Sequence, residues 1–148
     1  MNPETHPEFH IIGIAIHTTN ENGESAIAIP ALWNQFMTNG LLHKIPNAID
    51  HSIYCLYTEY EKDYTRPYTT LLGCRVSSLD EIPEGMTGKT IPEGTYSLFP
   101  VKGELQQGIV YDEWTKIWKS DLPRAYTTDF EIYPEGKPSE MTIYIATL

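Results

Sequence analysis

The 148-residue chain predicts an α+β fold: a duplicated βαββ module with pseudo-two-fold symmetry, its antiparallel sheet carrying two helices on one face. Three observations predict it. Trp33 and Trp114 each sit in a segment with helical apolar spacing, about half the chain apart. Each of those segments follows one strand-like stretch and precedes two more. A turn-rich segment divides the chain between them. A repeat of this length indicates a doubled module rather than a solenoid.

The elements follow in order. Residues 9–17 are apolar and isoleucine-rich, as a buried strand requires. Residues 18–24 carry Asn, Glu and Gly and read as a loop. A helix follows, with Pro30 near its first turn, where a missing N–H costs least. Its stripe is Leu32, Trp33, Phe36 and Met37, and Asn39-Gly40 ends it. Residues 52–60 and 68–77 form a hairpin around the polar loop 61–67. Two copies of Ile-Pro-Glu-Gly, at 82–85 and 91–94, mark tight turns and place a linker over 79–93. The first half thus spans 8–78 and the second 94–148, within one domain over 1–148. The second half repeats the order: a strand over 95–102, a helix over 107–119 with Val110, Tyr111, Trp114, Ile117 and Trp118 as its stripe, and strands over 126–133 and 140–147.

Composition excludes several function classes. Twenty acidic against ten basic residues give a net charge of −10. Such a surface repels the phosphate backbone, and no basic run is present, so direct DNA binding is not expected. No apolar run reaches the ~18 residues of a membrane span, and no signal peptide is visible. A cytoplasmic protein without a membrane partner is the expectation. Cys55 and Cys74 are too few for a disulfide scaffold and read as buried thiols. The five histidines lack metal-ligand spacing. Gly85-Met-Thr-Gly-Lys-Thr90 resembles a phosphate loop only in part, because Pro83 stands where the first glycine is required. No cofactor or metal is expected.

One acidic residue stands apart. Glu131 lies between Phe130 and Ile132, on the strand face that also carries Asp129 and Tyr133. Facing solvent, it is an ordinary surface acid; lining a cavity, it is a fixed negative charge among aromatics. Asp129 on the same face argues for solvent. The strand pattern argues for a cleft. With both helices on one face, the other face should turn polar. Yet residues 9–16, 71–76 and 141–146 are apolar on both sides, which marks the uncovered face as a ligand cleft or partner surface. Ten tyrosines, five of them crowding one hairpin, suit a surface that is apolar but half wet.

Leu32-Trp33-Asn-Gln-Phe36, the 54–60 strand, Leu72-Gly73, the run 91–99, the Trp114/Trp118 helix and the run 124–131 together resemble the GyrI-like bacterial effector-binding domain, the drug-sensing module of multidrug-responsive transcription regulators. The resemblance covers roughly residues 9–147. It implies a pocket near the pseudo-two-fold axis, in which a glutamate of the penultimate strand pairs with lipophilic cations. Glu131 occupies that place. Trp33, Tyr54 and Tyr57 are candidate aromatic walls, and Phe36, Trp114 and Tyr133 complete the candidate set. Regulator members carry a helix-turn-helix domain in front; only eight residues precede the first expected strand, so a stand-alone, integron-cassette-like member is implied. A binding protein is expected rather than an enzyme. The alternatives are a hydrolase of strained-ring alkylating compounds and a gyrase-binding inhibitor, with DNA gyrase or a separate regulator as the protein partner. The oligomeric state stays open.

Overall fold

A computed structural model describes residues 3–105 and 108–148. Eight antiparallel strands form one sheet, with two helices on one face. In chain order the strands are β1 (Glu4–His6), β2 (Phe9–Thr18), β3 (Ile53–Thr58), β4 (Tyr68–Val76), β5 (Thr87–Ile91), β6 (Gly94–Lys102), β7 (Thr128–Tyr133) and β8 (Glu140–Ala146). Helix α1 (Ser25–Thr38) follows β2, and α2 (Ile109–Trp118) follows β6. The expected start of the second helix, Gln107, lies outside the described residues.

The spatial order β1-β6-β8-β7-β3-β4-β2-β5 makes the duplication plain. The trio β6-β8-β7 mirrors β2-β4-β3, and the halves join where β3 pairs β7, with Cys55 opposite Glu131. Two short strands extend the expected βαββ unit. β5 falls within the predicted linker, where Thr87–Ile91 pairs with β2, so Pro and Gly punctuate a strand there instead of replacing one. β1 falls within the segment expected to precede all structure and pairs with β6. Each short strand is therefore followed in sequence by the first long strand of its own half, yet pairs with that of the other half.

The sheet is strongly curled. β1 and β2 stand six positions apart, which in a flat sheet is about 29 Å at ~4.8 Å per strand. Yet the His6 and Phe9 rings lie 4.8 Å apart, and His6 reaches Phe130 at 5.3 Å. Opposed Gly13 and Gly73 assist the curl where β2 meets β4: a Cβ on either would come within 2.0 Å of the other strand's carbonyl oxygen. The concave side fills with its own side chains. Phe9, Ile11, Tyr54, Leu56, Tyr96 and Phe130 form one buried cluster there, and the Phe130 and Tyr144 rings stack at 4.6 Å.

This corrects the expectation of a cleft on the helix-free face. Curling lets a sheet cover its second face without a second layer, so apolar residues on both sides of a strand do not require an open surface.

The convex side carries the helices. α1 packs on β2 and β4 through Leu32 and Phe36, and α2 packs beside β6 through Trp114 and Ile117. The central strands β3 and β7 lie between the two helix footprints. Pro30 is the sixth residue of α1, in its second turn. Its ring removes the N–H that would bond the Ala26 carbonyl, and both residues face the space between the helices.

Candidate functional site

A cavity of about 710 Å³ occupies the space between α1 and α2, within the ~300–1,000 Å³ typical of small-molecule sites. Its floor comes from the middle of the sheet. Residues alternate along β7, so Glu131 and Tyr133 face the helices while Phe130 and Ile132 enter the concave cluster. Tyr57 of β3 faces the same way. Trp33 and Ile29 come from α1, and Val110, Trp114 and Trp118 from α2. The β3–β4 loop closes one end, with Tyr64 stacked on Trp118 at 5.5 Å and 7° between planes.

Glu131 is 2% exposed. Trp114 donates its indole N–H to Oε2 at 2.6 Å, Tyr57 donates its hydroxyl to Oε2 at 3.2 Å, and Tyr133 donates its hydroxyl to Oε1 at 2.8 Å. Among the described residues no Lys, Arg or His pairs with it. Burial pushes its carboxyl above the ordinary glutamate range, while the bonds from Trp114, Tyr133, Tyr57 and the Cys55 thiol pull it back. Burial also raises the Tyr57 and Tyr133 hydroxyls, and the neighbouring Glu131 charge adds to the rise, so both stay protonated donors. The donors are themselves held by rings. Trp114 meets Tyr57 edge to face at 5.2 Å, and Trp33 meets Tyr133 at 4.9 Å.

Two of the candidate site residues lie elsewhere. Tyr54 is three positions from Tyr57, and on a strand an odd separation puts the two on opposite faces. Its ring therefore joins the concave cluster, 5.7 Å from Phe9. Phe36 is fully buried between α1 and the sheet, among Ile12, Leu72 and Cys74. It shares the apolar stripe of Trp33 but lies one turn deeper under the helix. The structure thus brings Glu131, Trp33, Tyr57, Trp114 and Tyr133 together around one cavity and leaves Tyr54 and Phe36 out of it.

Asp129 corrects a second expectation. It is fully buried, not solvated. Arg124 donates from Nη2 to its Oδ2 at 2.7 Å, the Tyr60 hydroxyl donates to the same oxygen, and the Ala146 backbone N–H donates to Oδ1 at 2.8 Å. Burial raises its carboxyl, opposed by Arg124, Tyr60 and Ala146. Arg124 and Tyr60 also line the cavity. Sequence reading missed Arg124; the signal available was a lone arginine five residues before a strand acid. No helix among the described residues is long and apolar enough to cross a membrane.

The model of the integron-associated effector binding protein family, Cass2, matches residues 4–147. The chain belongs to this family. The integron cassette protein VCH_CASS2 of Vibrio cholerae is 30% identical, with 99% of this chain and 95% of that one covered and a TM-score of 0.78. YobU of Bacillus subtilis (strain 168), described provisionally as a transcriptional regulator, is 30% identical over 125 residues, covering 80% of this chain and 78% of that protein. SAV2435, solved with tetraphenylphosphonium bound, shares the fold at a TM-score of 0.77 and 14% identity, over 99% of this chain and 93% of that one. Membership in an effector-binding family makes this a small-molecule-binding protein related to the GyrI-like domains. It is also the integron-cassette type of member that its sequence resembles.

Proposed function

We propose that the protein binds lipophilic organic cations between α1 and α2, with Glu131 as their counter-charge. One observation carries this reading: a carboxyl sealed from water, held only by neutral donors, with no cationic partner among the described residues. A structural carboxylate is normally paired when buried. An unpaired one at the floor of an aromatic cavity suits a positive charge supplied from outside. The tetraphenylphosphonium bound by SAV2435 supports the reading through likeness of fold.

Energetics favour breadth over tightness. A cation ~4 Å from the carboxylate gains on the order of 4 kcal/mol at an effective dielectric of ~20. Each aromatic face adds roughly 0.5–2 kcal/mol. Ordering and desolvation offset much of this, so micromolar affinity for several hydrophobic cations is the expected outcome. Titrating wild type and Glu131→Gln with tetraphenylphosphonium, followed by tryptophan fluorescence, tests the reading. Equal dissociation constants in the two proteins would remove Glu131 from the role.

A further inference from the structure

Arg124 lies in an irregular segment before β7, anchored by a bridge to Thr147. Its side chain is 4% exposed, and it forms part of the cavity wall. Only Nη2 reaches Asp129. Nε and Nη1 are buried and find no hydrogen-bond partner among the described residues. That is unusual on two counts. Buried N–H groups are nearly always paired, and a guanidinium that serves only a structural carboxylate normally engages it through two parallel bonds. Here Asp129 is already occupied by Tyr60 and the Ala146 N–H. The guanidinium is held instead by the Tyr126 ring at 4.3 Å and the Tyr64 ring at 5.8 Å. Tyr57, Tyr68 and Tyr60 form a row, with Tyr68 at 6.0 Å from Tyr57 and 5.8 Å from Tyr60. Tyr57 bonds Glu131 and Tyr60 bonds Asp129. The cavity wall therefore carries two polar groups, the Glu131 carboxyl and the Arg124 guanidinium, with an aromatic row between them.

We propose that Arg124 is a second recognition residue of the cavity, donating its unpaired N–H groups to an oxygen acceptor on the ligand, so that preferred ligands are lipophilic cations bearing an ester, ketone or sulfonyl oxygen. This rests on the cation reading of the same cavity. Three probes separate the two ideas: benzyltriphenylphosphonium, its 4-methoxycarbonyl ester derivative, and neutral triphenylphosphine oxide. In wild type the ester cation binds about tenfold more tightly than the parent, as a hydrogen bond to a charged donor allows. In the double variant Arg124→Met/Asp129→Asn, which removes both charges together, the ratio falls to about one. Independently of that variant's folding, the 1H–15N signal of Arg124 Nε in wild type shifts with the ester cation and the phosphine oxide but not with the parent cation. Equal binding of the two cations with a stationary Nε signal overturns the role of Arg124 and leaves Glu131 standing. If the phosphine oxide alone binds and moves the Nε signal, Arg124 stands and the cation reading falls. Binding by none of the three overturns both.

Discussion

Asp129 and Glu131 stand two residues apart on the same face of β7, and neither meets water. Asp129 has a cation of its own, Arg124 at 2.7 Å, with a tyrosine and a backbone N–H completing its shell. Glu131 has only neutral donors. The first arrangement is an internal ion pair. The second is a charge held in readiness, stabilised by hydrogen bonds but not neutralised. The contrast shows that burial alone does not mark a binding acid; the identity of its partners does.

Breaking the ion pair should have the largest effect. Asp129→Ala strands the Arg124 guanidinium, and removing one partner of a buried pair costs about 3–5 kcal/mol. Urea unfolding measures this directly, and a loss below about 1 kcal/mol would show that the pair contributes little to the fold. Glu131→Gln should behave oppositely. It removes an uncompensated buried charge, so stability stays within about 1 kcal/mol of wild type. Its effect falls on tetraphenylphosphonium affinity, which drops about 10- to 100-fold, or roughly 1.4–2.7 kcal/mol. A Glu131→Gln protein that unfolds more easily yet binds normally would erase the contrast.

Titration sharpens the comparison further. The native Glu131 carboxyl is raised from its ordinary 4.5, so the folded state holds its proton more firmly than the unfolded chain. Its contribution to stability is full below about pH 4.5 and is lost as pH rises through the raised native value. Cation binding has the opposite dependence, because only the ionised carboxylate attracts the ligand. Calorimetry in buffers of different ionisation heat should therefore detect proton release on binding near the raised value. Glu131→Gln should lose that release, and unchanged release would assign it to another group. The smallest effect belongs to Tyr54→Phe. Its hydroxyl lies on the concave side, so cation affinity should stay within about twofold of wild type; a larger change would place the ligand differently.

Much of the framework was legible in the sequence because it rests on periodicity. The Leu32, Trp33 and Phe36 stripe, the Trp114 stripe and the alternation around Glu131 each report a local period. Curvature does not. Whether the Ile11 or the Ile12 side of β2 faces helices depends on the bend of the whole sheet, and the cleft was accordingly expected on the wrong face. Tyr54 was an avoidable error, since its odd spacing from Tyr57 already separated them. Phe36 was harder, because Trp33 and Phe36 share one stripe and only the depth of packing distinguishes them. Arg124 was the hardest to read, its one signal an arginine five residues before a strand acid. Its approach to Asp129 depends on an irregular segment in which Tyr126 takes a φ of 55°, a conformation that a tyrosine does not announce in sequence.

The crossed pairing of β1 with β6 and of β5 with β2 bears on how the chain is made. β1 is synthesised well before its partner Gly94–Lys102, which emerges some ninety residues later. The β3 edge likewise waits for Thr128–Tyr133. During synthesis the N-terminal half therefore carries an unclasped arm and a bare inner edge, the kind of surface on which neighbouring nascent chains can add a strand. Completion of the C-terminal half closes both, so the finished sheet forms only once β6 and β7 have emerged.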